Sequence, residues 1–142
     1  MRHLAIVLLG LLVSMSAARA DTRIEVRDAW IRQAPPGAMM LAAYAELANT
    51  GDQTVRIAQA GSAAFGVVEI HRTIEEDGIS RMRPAGVLEM APGDAIRLAP
   101  GGLHLMLMQP RSDLKAGETV VIDLLTEDGD IIPGVFKVRA PD

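Results

Sequence analysis

The chain contains no cysteine. That excludes disulfides, so an exported form must be stable through its core alone. It also excludes every thiolate metal centre, blue copper included, because that site requires a Cys ligand. Basic side chains are no more abundant than acidic ones: 14 Lys and Arg stand against 18 Asp and Glu. The balance disfavours nucleic acid or an anionic membrane surface as a partner. No Gly-x-Ser-x-Gly motif is present, so the strained nucleophile elbow of a hydrolase is missing. No apolar run reaches the roughly 20 residues needed to cross a bilayer as a helix. Histidine is scarce too, with three in the whole chain.

The first twenty residues, MRHLAIVLLGLLVSMSAARA, read as a leader rather than as fold. Arg2 and His3 form a short polar start, an apolar run follows from Leu4 to Val13, and Ala18-Arg19-Ala20 is a small-x-small cleavage site. Cleavage after Ala20 is expected to release a soluble exported protein over residues 21–142, with no stable membrane insertion. A lipid-anchored form would need a cysteine at the cleavage site. Arg2 and Arg19 leave with the leader, so 12 basic side chains face 18 acidic ones and the formal charge becomes −6. His71 and His104 are then the only histidines.

Residues 21–142 read as one domain. Turn signals recur at PPG (35–37), NTGD (49–52), EEDG (75–78), APGD (91–94), APGG (99–102), KAGE (115–118) and EDGD (127–130). This spacing predicts short antiparallel strands in an all-β sandwich or barrel. The expected strands are Ile24–Arg32, Val55–Ala60, Val67–Ile74, Ile79–Arg83, Ala95–Leu98, Leu103–Gln109, Thr119–Leu125 and Ile131–Val138. Segment 38–47, AMMLAAYAEL, has helical propensity, but its position between two turns suits a strand, and it is read as one.

Side chains alternate faces along a strand. In VVEIHRTI, Val68, Ile70 and Ile74 share one face with Arg72, while Glu69, His71 and Thr73 share the other with Val67. In LHLMLM, three leucines share one face and His104, Met106 and Met108 the other. If the aliphatic faces are the core, both histidines point away from it. His104 and Met106 are close enough along a strand to reach one ion, and His71 and Met82 are the obvious candidates to complete it. Thioethers are soft ligands that suit Cu(I) and serve Zn²⁺, Mg²⁺ or Ca²⁺ poorly. Methionine carries no titrating proton, so the histidines alone make binding pH-dependent. The strand pair by itself also fits a methionine-filled core strand with a surface histidine.

The spacing of the whole set resembles the PCu(A)C family of periplasmic copper chaperones, whose pattern is His, ten residues, Met, twenty-one residues, then His-x-Met. His71 is followed by ten residues and Met82, and Met82 by twenty-one residues and His104-Leu105-Met106. The flanks VRDAWIRQAPPG, AAYAELANTG, VVEIHRT, MRP and PGGLHLMLM agree, so the resemblance covers about residues 25 to 138. Arg72 stands where many relatives carry Glu, and GSAAFG replaces a Ser-Ser-type segment. The resemblance implies a cupredoxin-like Greek-key β-barrel in a single domain and one Cu(I) held by His71, Met82, His104 and Met106. It implies a monomeric periplasmic carrier that is not an enzyme. Delivery would be to the dinuclear copper centre of cytochrome c oxidase subunit II or to another copper chaperone.

Several bland expectations stand beside that reading. Met108 is assigned to core or rim, Met90 to packing at a strand end, and Met39 and Met40 to the core, although an exposed one of them could make a secondary copper contact. Trp30, the only tryptophan, is expected to anchor the core. The run Glu75, Glu76, Asp77 is expected to be a solvated hairpin tip. The rival functions are periplasmic copper buffering, a metal-free β-sandwich scaffold, and a hydrolase drawn from Ser80, His71 and a carboxylate.

Overall fold

Alternation of buried and exposed positions is clearest in the last strand, where Ile132, Gly134, Phe136 and Val138 turn inward and their neighbours face solvent. A strand with this period can bury only one face, and such faces together enclose one hydrophobic core. The structure, a computed structural model, describes residues 23–142. The expected leader over 1–20 and its cleavage after Ala20 lie outside the described residues.

The strands are β1 (Ile24–Arg32), β2 (Met40–Asn49), β3 (Val55–Gly61), β4 (Phe65–Glu76), β5 (Ile79–Pro84), β6 (Leu88–Met90), β7 (Ala95–Leu98), β8 (Leu103–Pro110), β9 (Thr119–Thr126) and β10 (Ile131–Arg139). The hydrogen-bonded order runs β4-β8-β2-β1-β10-β9-β3, and a β3–β4 pairing closes it into a seven-strand barrel. The barrel is mixed because β1 and β10 run parallel. β5 extends the sheet beyond β4, β6 lies on β3, and β7 shares β2 with β8. Among the described residues there is no helix.

The eight expected strands are all present, with ends differing by two residues or fewer. Segment 38–47 is a strand, observed as β2 over Met40–Asn49. Its alanines are explained by its place: β2 is bordered by β8 and β7 on one side and β1 on the other, and most of its positions are buried. Small side chains let neighbours pack over both faces. β6, only three residues long, is too short to show a period and was not expected.

Trp30 corrects an expectation. It is half-buried on the outer face, tilted against Tyr44 at a centroid distance of 4.7 Å, with the guanidinium groups of Arg32 and Arg139 over its ring. The cause is a β-bulge. Asp28 has φ of 47°, and the β1–β2 register shifts between Arg27 and Trp30. The extra residue reverses the parity of the strand. Ile24 and Val26 face inward before it, Ile31 after it, and Trp30 is turned out. Met39 and Met40 are likewise exposed rather than in the core. They sit at the barrel rim, where the chain enters β2. Met90 is fully buried, as expected at a strand end. Glu75, Glu76 and Asp77 form the exposed tip of the β4–β5 hairpin, and Glu76 lies 3.4 Å from Arg81.

The core side of β8 carries Leu105 and Leu107, both without solvent exposure. Leu105 separates the two outward side chains His104 and Met106 and ties their strand to the barrel. Leu105→Ala is expected to lower unfolding stability by about 2–5 kcal/mol, through lost burial plus a residual cavity. Urea unfolding followed by far-ultraviolet circular dichroism checks the value.

Candidate metal centre

β4 and β8 are antiparallel neighbours, and their register places His71 directly opposite His104. Opposed residues of a ladder share a face. The outer face therefore brings together side chains that are 33 positions apart in sequence. The same register sets Met106 opposite Glu69. β5 adds Met82 opposite Thr73 and Pro84 opposite His71. His71 thus has Met106 and Met82 as diagonal neighbours on its two flanking strands, at Cα separations of about 7–8 Å that long side chains span. Pro84 costs no ladder bond on this edge strand: the neighbouring Ala85 N–H donates to the Ile70 carbonyl at 2.9 Å, which makes His71–Pro84 a non-hydrogen-bonded pair.

The four residues differ in exposure. His104 is only 3 % exposed, although it lies on the outer side of the sheet. It points away from the aliphatic core, as the alternation along β8 predicts, yet neighbouring groups shelter it from solvent. His71 is nearly as sheltered, its side chain 14 % exposed. The two rings face each other edge to plane, with centroids 6.0 Å apart. Met106 is half-buried beside them, and Met82 is 55 % exposed on the hairpin. The histidines form the sheltered floor of the cluster and Met82 its open side.

Hydrogen bonding fixes each ring. The His71 Nε2–H donates to the Glu69 carboxylate at 2.7 Å. A carboxylate only accepts, so Nε2 carries the proton and Nδ1 keeps its lone pair. The His104 Nδ1–H donates to the Gly102 carbonyl at 3.0 Å, which leaves the Nε2 lone pair free. These two free nitrogens, His71 Nδ1 and His104 Nε2, are buried and have no partner. They are the two buried side-chain polar atoms left unpaired among the described residues. A buried unpaired nitrogen costs about 1–3 kcal/mol. Two of them on rings whose centroids are 6.0 Å apart form a donor set waiting for an acceptor of electron pairs, and a metal ion meets that need. The residues present fit a soft ion: two imidazole nitrogens oriented by second partners, with thioethers on both flanks.

Glu69 and the Gly102 carbonyl were not assigned roles from the sequence. Glu69 is visible in retrospect, because it is two residues before His71 on the same face. The Gly102 carbonyl leaves no such signal, since it depends on how the 99–102 turn folds over His104. Glu69→Leu is expected to weaken metal affinity about 10–100-fold, the usual cost of losing an orienting partner of a ligating histidine. Competition titration against a Cu(I) chelator measures it. Ser80 pairs with Glu75, four residues further along the strand from His71. That puts it about 13 Å away, so no Ser–His contact exists to support a hydrolase.

Comparisons with known proteins agree with the fold and narrow the identity. The protein Lxx21020 of Leifsonia xyli, which carries a lipoprotein designation, is 32 % identical over 117 residues, covering 82 % of this chain and 69 % of its own length. The apo PCuAC domain of PmoF1 superimposes with a TM-score of 0.69 at 23 % identity, covering 85 % of this chain and 98 % of that one. The solution structure of Cu(I)-DR1885 from Deinococcus radiodurans gives a TM-score of 0.57 at 26 % identity, covering 87 % and 83 %. The barrel is thus cupredoxin-like, as the fold of its neighbours is. The LpqE-like lipoprotein family matches residues 24–138. With the barrel, its paired histidines and nearly the whole described chain inside that match, the protein belongs to the LpqE-like family, which is the family of PCuAC domains.

Proposed function

We propose that this protein is a copper chaperone that binds one Cu(I) through His71 Nδ1, His104 Nε2, Met106 and Met82. It would carry the ion through the periplasm as a monomer and hand it to a copper enzyme, the dinuclear centre of cytochrome c oxidase being the acceptor of choice. The observation that carries the reading is the pair of buried, unpartnered nitrogens on rings 6.0 Å apart. A ligating imidazole has its centroid roughly 3 Å from the ion, so one ion between the rings matches that separation. The Cu(I)-bound relative DR1885 supports the choice of metal.

The donor set explains how such a site could both hold and release its cargo. Four neutral ligands leave the charge of Cu(I) unbalanced within the set, so acceptor thiolates are stronger donors. The exposed Met82 is the ligand that an incoming acceptor meets first, and the sheltered histidines are the last to let go. Transfer is ligand exchange, with no change in oxidation state. Anaerobic titration against a colorimetric Cu(I) chelator tests binding, with 1:1 uptake expected and the absence of uptake decisive against the site. Gene deletion tests delivery. Copper content of cytochrome oxidase should fall under copper limitation; normal oxidase with reduced copper tolerance would favour buffering instead.

A further inference from the structure

The outer face that carries the histidines continues along β8 and β2, and it remains rich in sulfur. Met108 follows Met106 on the same face of β8, and the register sets it opposite Met40 of β2. The Gln109 N–H donates to the Met39 carbonyl at 3.0 Å. That bond flanks a non-hydrogen-bonded pair, the ladder position where opposed Cα atoms lie only about 4.5 Å apart and side chains are closest. Ala42, opposite Met106, fills little of the space beside the Met40–Met108 pair. Met40 is 60 % exposed, and Met108 is half-buried. Three thioethers thus run from the rim toward the buried histidines: Met40 and Met108 are opposed across the ladder, and Met106 lies one step of about 7 Å further along β8. Exposed sheet positions are usually polar, and two opposed methionines on the outer face have no role in the core.

We propose that Met40 and Met108 form a second, weaker site for Cu(I), from which the ion passes through Met106 to His71 and His104. The inference rests on the copper-carrier reading and adds a route to it. Two opposed thioethers suffice to hold a d¹⁰ monovalent ion in low coordination, and they hold it loosely because neither is anionic. Met106 belongs to both ligand groups, so the ion can gain histidine nitrogens before it loses its last sulfur. No proton and no electron moves. The same patch includes the exposed Val67, opposite Met108, and would read as a purely apolar protein-docking surface if the thioethers did not bind.

Protein labelled with ¹³C at the methionine methyls, titrated anaerobically with the acetonitrile complex of Cu(I), separates the outcomes. The first equivalent should shift the methyls of Met82 and Met106, and the second those of Met40 and Met108. Met40→Leu with Met108→Leu preserves volume and apolarity and should remove the second event, leave 1:1 affinity intact, and slow loading of the histidine site. Silent Met40 and Met108 methyls through two equivalents overturn the proposal. So does an equal shift at exposed Met39, which would mean unselective binding to surface methionine. In His71→Ala with His104→Ala, persistence of the Met40 and Met108 shifts supports the second site even if the principal site fails. Loss of the shifts there overturns it as a separate site.

Discussion

Cu(I) affinity is expected to fall by about four orders of magnitude in the His71→Ala, His104→Ala double variant. Structural zinc in four-ligand zinc-finger peptides binds with apparent energies of about 10–16 kcal/mol; on that scale each ligand is worth roughly 3 kcal/mol, about a hundredfold in affinity. The two imidazoles are the sheltered members of the set, each with its second nitrogen anchored to Glu69 or Gly102. Neither can be replaced by water at no cost. Met82→Leu is expected to do less, because an exposed, flexible thioether must be ordered on binding and forfeits rotamer entropy in doing so. Competition with a chelator of known affinity ranks the variants. Equal losses for Met82 and for a histidine would contradict the floor-and-rim arrangement.

Apo stability is expected to move in the opposite direction to binding. His104 is buried with an unpaired Nε2, a liability of about 1–3 kcal/mol in the metal-free protein. His104→Leu removes that nitrogen at similar volume. It also removes the donor to Gly102, but that carbonyl still accepts from the Thr73 N–H at 3.1 Å. The variant should be as stable as the parent or about 1 kcal/mol more stable. Copper reverses the order. Free Cu(I) at a hundred times the dissociation constant should stabilise the parent by about 2.7 kcal/mol. That corresponds to about 10 °C in melting temperature for a domain of this size. It should stabilise His104→Leu by only about 0.4 kcal/mol, if one lost ligand weakens binding about a hundredfold. Anaerobic thermal melts with and without Cu(I) give both quantities. A variant that is strongly destabilised without metal would mean that His104 serves packing rather than a ligand.

Legibility in the sequence varied with the physical origin of each feature. β8 is read correctly because its leucines sit on alternate positions and Leu105 and Leu107 enter a core that is mostly aliphatic. β2 is harder, since alanine favours helices and its burial on both faces erases the period. Trp30 was misplaced because one bulge residue, Asp28, inverts everything that follows it in β1. Met39 and Met40 were misplaced for a different reason: hydrophobicity says what can be buried, and position at the rim decides what is. The acidic hairpin tip is local and was legible from EEDG alone.

By itself the sequence determined the all-β class, the turn positions, the absence of thiolate chemistry and the supply of soft thioether side chains, because each depends on residue type or on spacing along one strand. It also set His71, Met82, His104 and Met106 at their spacing. Only the tertiary structure decided that His71 and His104 stand opposite each other, since a register between strands is a property of two segments and of the turns that join the barrel. Tertiary contacts also decided which nitrogen each ring offers. Glu69 takes the proton side of one ring, and the Gly102 carbonyl takes that of the other. A ring alone has two tautomers open to it, and its neighbours in space remove one of them.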